Sequence, residues 1–103
     1  MTPALDEVQS TVEWLTRIFP EAAGGSSLDA TVREQLLAAR RYGLELHTEL
    51  RAYVAVAWLM GAEFDREFSE AQTILENPLM PAGLKASWLV QWCARAFAAI
   101  IEN

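Results

Sequence analysis

Residues 46–60 have the sequence LHTELRAYVAVAWLM, and this stretch decides the fold. Leu46, Leu50 and Tyr53 recur at the three- and four-residue steps of an α-helix. From Ala52 onward the apolar residues are no longer confined to one stripe and cover nearly all sides of the helix. A helix that is apolar on most sides is typical of a buried position. The stretch therefore predicts a central helix in an all-α protein.

Helical spacing continues on both sides of this stretch, interrupted by residues that end or begin helices. Pro20 ends the first run, Gly43 and Gly61 close the next two, and Pro81 suits a first turn. The predicted helices cover residues 4–19, 28–42, 46–60, 67–76 and 81–101, with a flexible loop over 20–27. No segment alternates with the two-residue period of a strand for long enough. We therefore predict a single helical domain over residues 1–103, a compact five-helix bundle or an orthogonal helical array.

Three local features add detail to this prediction. Ser26 stands three residues before Asp29, which predicts an N-cap with an acid in the first turn of the second helix. Phe64 is a large apolar residue in a charged turn and is expected to enter the core from that turn. Asp65 is expected to cap the short helix that follows.

The charge balance excludes one large class of partners. The chain has 14 acidic residues against eight lysines and arginines, with a formal net charge of −6 and a pI of about 4.6. Nucleic-acid binding depends on cations facing phosphates, so we expect no nucleic-acid partner. An acidic surface suits a basic protein partner, although it also keeps small proteins soluble.

The sequence gives no sign of a membrane segment or of secretion. Residues 52–62 are the longest apolar-rich stretch, and this is shorter than the roughly 20 residues that a membrane span needs. The N-terminal residues lack the basic region of a secretory signal. Cys93 is the only cysteine and has no partner for an internal disulfide. We therefore expect a cytoplasmic protein.

No group of residues has the spacing of a catalytic or metal site. His47 and Cys93 are the only histidine and cysteine, and they are far apart in the chain. The four acids Glu63, Asp65, Glu67 and Glu70 lack the pattern of a calcium loop and are interpreted as a solvated turn. We predict no enzyme, no cofactor and no metal. A small enzyme that uses these carboxylates is the alternative ranked last.

The four tryptophans are a high count for 103 residues. Trp58, Trp88 and Trp92 lie on stripes that a core would use, whereas Trp14 lies beside the stripe of the first helix. Trp88 and Trp92 are one turn apart on a helix whose apolar stripe is wider than one domain needs. The excess predicts an exposed ridge for a partner, with Trp14, Trp88 and Trp92 as the partner-binding residues.

Several short motifs between residues 41 and 85 form a further pattern. They are Tyr42-Gly43-Leu44 before a hydrophobic helix, Gly61-Ala62-Glu63-Phe64-Asp65, Ile74-Leu75-Glu76-Asn77-Pro78, and Pro81 followed by Lys85. With this pattern the chain resembles the helical segment near the C-terminal end of type VI secretion effector-adaptor proteins and of small proteins encoded near the spike protein VgrG. The resemblance implies a helical module that holds an effector or its delivery machinery.

These observations lead to one main hypothesis and two alternatives. The main hypothesis is a protein-binding module, namely a chaperone, adaptor or accessory protein of a type VI secretion system. The first alternative is an immunity protein whose acidic surface neutralises a cognate toxin. The second is a structural homo-oligomer, in which the apolar ridge pairs with a second copy of the chain.

Overall fold

The computed structural model describes residues 5–24 and 27–102. Its helices are α1 (Leu5–Ile18), a 3₁₀ helix (Pro20–Gly24), α2 (Leu28–Arg41), α3 (His47–Met60), α4 (Phe64–Glu67), α5 (Ser69–Leu75) and α6 (Ala82–Glu102). The described residues contain no strand. The predicted all-α class is confirmed.

The helix α3 lies at the centre, as its sequence predicts. It packs most extensively against α6 on one side and against α2 on the other, while α1 covers α2. The short helices α4 and α5 close one end by contacting α3 and α6 respectively. The core consists of fully buried side chains from these helices and their connections, the largest of which are Tyr53, Phe64, Leu15, Leu36, Leu44, Leu75 and Leu89.

Two glycines end helices as their positions predict. Gly43 and Gly61 have φ values of 92° and 115°, in a backbone region that residues with a side chain rarely adopt. Beside Gly43, the Leu44 N–H donates to the Ala39 carbonyl at 3.1 Å, so the end of α2 keeps its hydrogen bonds. The opposite end of α3 is held by Glu49, whose Oε1 accepts from the backbone N–H of Leu46 at 3.0 Å.

The helix predicted over 67–76 is present as α5, whereas the segment before it, predicted as a charged turn, forms the additional short helix α4 and brings the number of α-helices in the described residues to six instead of five. Phe68 has extended backbone angles, φ −113° and ψ 109°, and separates α4 from α5. Phe64 is the first residue of α4 and is fully buried in the core, as predicted. Asp65 does not cap a helix, since Glu63 occupies the N-cap position and Asp65 lies inside α4.

The predicted flexible loop over 20–27 is also wrong for its first half. Residues 20–24 form a 3₁₀ helix whose Ala22 is buried in the core and whose Ala22 N–H donates to the Phe19 carbonyl at 2.9 Å. Burial of a small side chain and a local hydrogen bond order this segment. Ser26, the predicted N-cap, lies outside the described residues, and Ser27 precedes α2 without a side-chain cap bond.

Candidate functional site

A buried lysine joins the ends of two helices. Lys85 on α6 donates through Nζ to the carbonyl of Tyr42, just past α2, at 2.9 Å, and to that of Leu75, the last residue of α5, at 2.8 Å. Helix C-termini present unsatisfied carbonyls and a partial negative charge, so an ammonium group is stabilised between them. We call Tyr42, Phe64, Asp65, Leu75 and Lys85 the Lys85 cluster.

The side chain of Tyr42 extends the Lys85 cluster to α4. Its hydroxyl donates to Asp65 Oδ2 at 2.6 Å. Burial, followed by this hydrogen bond and the charge of Asp65, raises the pKa of Tyr42 to about 12, so the hydroxyl keeps its proton at neutral pH. The ring of Tyr53 stands between those of Tyr42 and Phe64, with centroids 6.1 and 5.0 Å away. The cluster therefore connects α2, α4, α5 and α6 by satisfied polar groups and aromatic packing.

A different surface lies between α3 and α6. The two helices leave an apolar groove of about 280 Å³, floored by Val56 and Cys93 and bounded by the exposed Leu59. Its remaining walls are small or apolar side chains, namely Ala52, Ala55, Val90, Ala94 and Phe97. Burial raises the pKa of the Cys93 thiol, which keeps it neutral. We call these eight residues the α3–α6 groove.

The depression continues toward the N-terminal ends of both helices. There a further volume of about 510 Å³ has a mixed lining of apolar or small residues and polar residues, namely Leu46, Ala52, Gly83, Ala86 and Val90 together with Thr48, Glu49, Ser87 and Gln91. Glu49 on α3 lies next to Gly83 on α6, so the two helices begin at the same end and run in the same direction. A helix rises about 1.5 Å per residue, so the 14 residues of α3 give the depression a length of about 20 Å.

Acidic residues are nearly absent from the two helices that form the groove. Of the 14 acids in the chain, only Glu49 and Glu102 lie on α3 or α6. The carboxylate of Glu49 is used to cap α3 and is buried. The acidic charge is therefore concentrated on α1, α2, α4, α5 and the connecting segments, and the α3–α6 groove is a charge-poor face.

The comparisons with known proteins find no relative. The chain matches no family model, no curated protein and no solved structure. Its own geometry and the resemblance of residues 41–85 are therefore the grounds for any functional proposal.

The three tryptophans predicted as partner contacts are placed in two separate regions. Trp14 is half-buried on α1 and has the Arg51 guanidinium 5.5 Å from its ring centroid. Trp88 is half-buried and stacks on Trp92, with centroids 5.7 Å apart. Trp92 is only 7% exposed, because Phe64 and Phe68 pack against it. The expected exposure of Trp92 is therefore wrong, whereas the roles of Trp14 and Trp88 stay predictions.

Several large apolar residues are exposed, including one that was predicted to lie in the core. Trp58, expected in the core, is exposed beside Phe19, with ring centroids 6.3 Å apart. Leu59 and Val90 are also exposed. The prediction that α3 is buried on most sides is therefore wrong at Trp58 and Leu59, near the C-terminal end of the helix. Small residues recur at helical spacing on both α3 and α6, but the same spacing is equally compatible with close packing of the two helices.

The residues with potential for chemistry are dispersed. His47 is exposed at the start of α3, and Cys93 is buried in the groove floor. Glu63, Glu67 and Glu70 are exposed, as expected for a solvated turn, but Asp65 is buried. Among residues 5–24 and 27–102, no three His, Cys, Asp or Glu side chains are grouped so as to hold a metal. In the same part of the chain, no helix combines the length and hydropathy of a membrane span.

Proposed function

We propose that this protein is a protein-binding module that accepts the apolar face of a partner's amphipathic helix in the α3–α6 groove. One observation carries the proposal, namely that the open α3–α6 groove has only apolar or small walls and lies between two helices that carry two of the 14 acids. Small side chains such as Ala52, Ala55 and Ala94 permit close approach of a partner backbone. Helix-in-groove binding uses this kind of surface.

The expected energetics fit a reversible complex. Each large aliphatic side chain that a partner buries in the groove contributes about 1.5–3 kcal/mol. Two or three such anchors contribute about 3–9 kcal/mol before the cost of association, which corresponds to a weak and readily reversible complex. Because the groove walls offer no polar side chain other than the Cys93 thiol, shape and apolar burial determine the fit. The acids elsewhere on the molecule act on the rate of association.

A narrower role rests on the resemblance of residues 41–85. Under this proposal the protein is a cytoplasmic chaperone, adaptor or accessory protein of a type VI secretion system that holds an effector or spike component. The acidic charge outside the groove favours one alternative, an immunity protein that covers the basic surface of a toxin. The two roles differ in outcome, because an immunity protein abolishes the toxin's activity and a chaperone raises its solubility without blocking it.

Site-specific photocrosslinking in the native host tests the groove directly. The photoreactive residue is placed at Val90 in the groove wall and, as a matched control, at Ile18 on α1. Both positions are helical, β-branched and 50% exposed. We expect a discrete crosslinked protein at position 90 and not at 18. Equal labelling from both positions would contradict the proposal.

The mass of the crosslinked product separates the remaining possibilities. A product of one chain joined to a different protein supports the module. A product of two copies of this chain, together with a stable dimer in dilute solution, replaces the module by the structural homo-oligomer. Mass spectrometry of the product then names the partner and decides between the effector, spike and toxin classes.

A further inference from the structure

A second depression lies on the acidic side of the molecule, away from the α3–α6 groove. It is a cleft of about 650 Å³ between α2 and α4, with Tyr53 of α3 among its lining residues. Gln35 of α2 and Asp65 of α4 also line it. We call it the Gln35 cleft. None of its lining residues belongs to the α3–α6 groove.

Two buried polar atoms of the lining residues have unused hydrogen-bonding capacity. Gln35 is 6% exposed and Tyr53 is 0% exposed, yet Gln35 Oε1 and Tyr53 Oη have no partner among the described residues. Gln35 Nε2 donates to the Ala62 carbonyl at 3.3 Å, which fixes the amide orientation and identifies the free atom as the acceptor oxygen. Buried polar groups are normally paired, so these two atoms require hydrogen-bond partners that the described residues do not supply.

The charges around the cleft select the ligand. Glu34, Glu63, Asp65 and Glu67 line it together with Arg41 and Arg66, so carboxylates outnumber guanidinium groups by four to two. In the described part of the chain, the ion pair within 4 Å is Arg40 with Glu7, outside this cleft. Asp65 uses Oδ2 for the Tyr42 hydroxyl. The cleft is therefore rich in acceptors and favours a cation over an anion.

We propose that the Gln35 cleft binds a guanidinium group, supplied by a small molecule or by an arginine side chain of another protein. A guanidinium has five N–H donors in one plane and carries its charge at every physiological pH. Gln35 Oε1, a lone pair of Tyr53 Oη and the Asp65 carboxylate are the acceptors that it meets. This site is separate from the groove, so either one can fail without the other.

The test is a titration of the ¹⁵N-labelled full chain, followed by amide chemical shifts. Ethylguanidinium is the probe, its neutral isostere ethylurea is the control for charge, and acetate is the control for an anion. We expect saturable shifts around Gln35, Ala62 and Asp65 with ethylguanidinium at millimolar concentration, and none of comparable size with the controls. Equal shifts with ethylurea or acetate, or no saturation, would overturn the proposal.

Variants separate binding from folding. Tyr53→Phe removes an unpartnered hydroxyl and keeps the ring, so the fold should remain intact while affinity falls about three- to tenfold. Gln35→Leu should weaken binding by at least as much. If Gln35→Leu fails to fold, the exposed Glu34→Gln serves instead, with Glu70→Gln outside the cleft as its matched control. Unchanged affinity in Tyr53→Phe and Glu34→Gln would overturn the proposal.

The source of the guanidinium is decided by a second ligand, N-acetyl-arginine-N-methylamide, which carries the peptide bonds of an arginine residue. If N-acetyl-arginine-N-methylamide binds more tightly than ethylguanidinium, the site is assigned to an arginine side chain of a partner. Equal affinity assigns it to a free small molecule. Both outcomes support a guanidinium site.

Discussion

The Lys85 cluster and the α3–α6 groove differ in how their atoms are satisfied. In the cluster, the ammonium group of Lys85, the hydroxyl of Tyr42 and the carbonyl of Leu75 all have protein partners. In the groove, alanines and valines leave apolar surface in contact with solvent. The first arrangement is complete within one chain, whereas under the proposed function a partner covers the second. The motif residues therefore determine how the chain folds, whereas the α3–α6 groove contains no motif.

The largest expected effect belongs to the core of the Lys85 cluster. Phe64→Ala removes a fully buried ring that contacts Tyr53 and Trp92, and should lower the free energy of unfolding by about 3–5 kcal/mol. Urea denaturation followed by circular dichroism measures it. Phe68→Ala, the same change at an exposed ring, should cost less than half as much. Equal losses would show that α4 does not anchor the fold.

The next effect concerns the polar link between helices. Lys85→Met should lower the unfolding free energy by about 2–3 kcal/mol, because the carbonyls of Tyr42 and Leu75 lose a buried donor. The matched change Arg95→Met, at an exposed position of the same helix, should stay within about 0.5 kcal/mol of the wild type. If Lys85→Met left the unfolding free energy unchanged, the Lys85 cluster would be held by packing alone.

The hydroxyl of Tyr42 should have a smaller and pH-dependent effect. Tyr42→Phe leaves buried Asp65 without its donor and should cost about 1.5–2 kcal/mol at pH 7. Because the folded-state pKa of Tyr42 is raised from 10 to about 12, its contribution is complete below pH 10 and declines as the pH rises toward 12. Denaturation at pH 7, 10 and 11 should show the stability difference between wild type and Tyr42→Phe shrinking. A stability difference that stays the same at all three pH values would contradict a loss of this contribution through ionisation of Tyr42.

The smallest effect on stability is expected in the groove. Val90→Glu and Ile18→Glu each replace a half-exposed residue, so each should change the unfolding free energy by less than about 0.5–1 kcal/mol. Thermal unfolding of the two variants under the same buffer conditions measures this. A much larger loss of unfolding free energy for Val90→Glu would show that the α3–α6 groove, like the Lys85 cluster, is needed for folding.

The sequence predicted the helices well because their signals are local. The ends of α2 and α3 follow from Gly43 and Gly61, and the end of α1 from Pro20. The short helix α4 was missed, because its four residues are fewer than a periodic pattern needs and include the charged residues of the predicted turn. The α3–α6 groove was missed for a related reason. Ala52 and Ala55 are as apolar as core residues, and only the distance between two helices decides whether a small side chain is covered.

The most direct test measures how tightly the purified crosslinked partner binds three forms of this protein, namely the wild type, Val90→Glu and Ile18→Glu. We predict that Val90→Glu weakens binding by tenfold or more relative to wild type, because a carboxylate would be buried in an apolar contact without a counter-charge. Ile18→Glu should bind like the wild type. Wild-type affinity in Val90→Glu, or an equal loss in both variants, would contradict the claim that the α3–α6 groove is the binding surface.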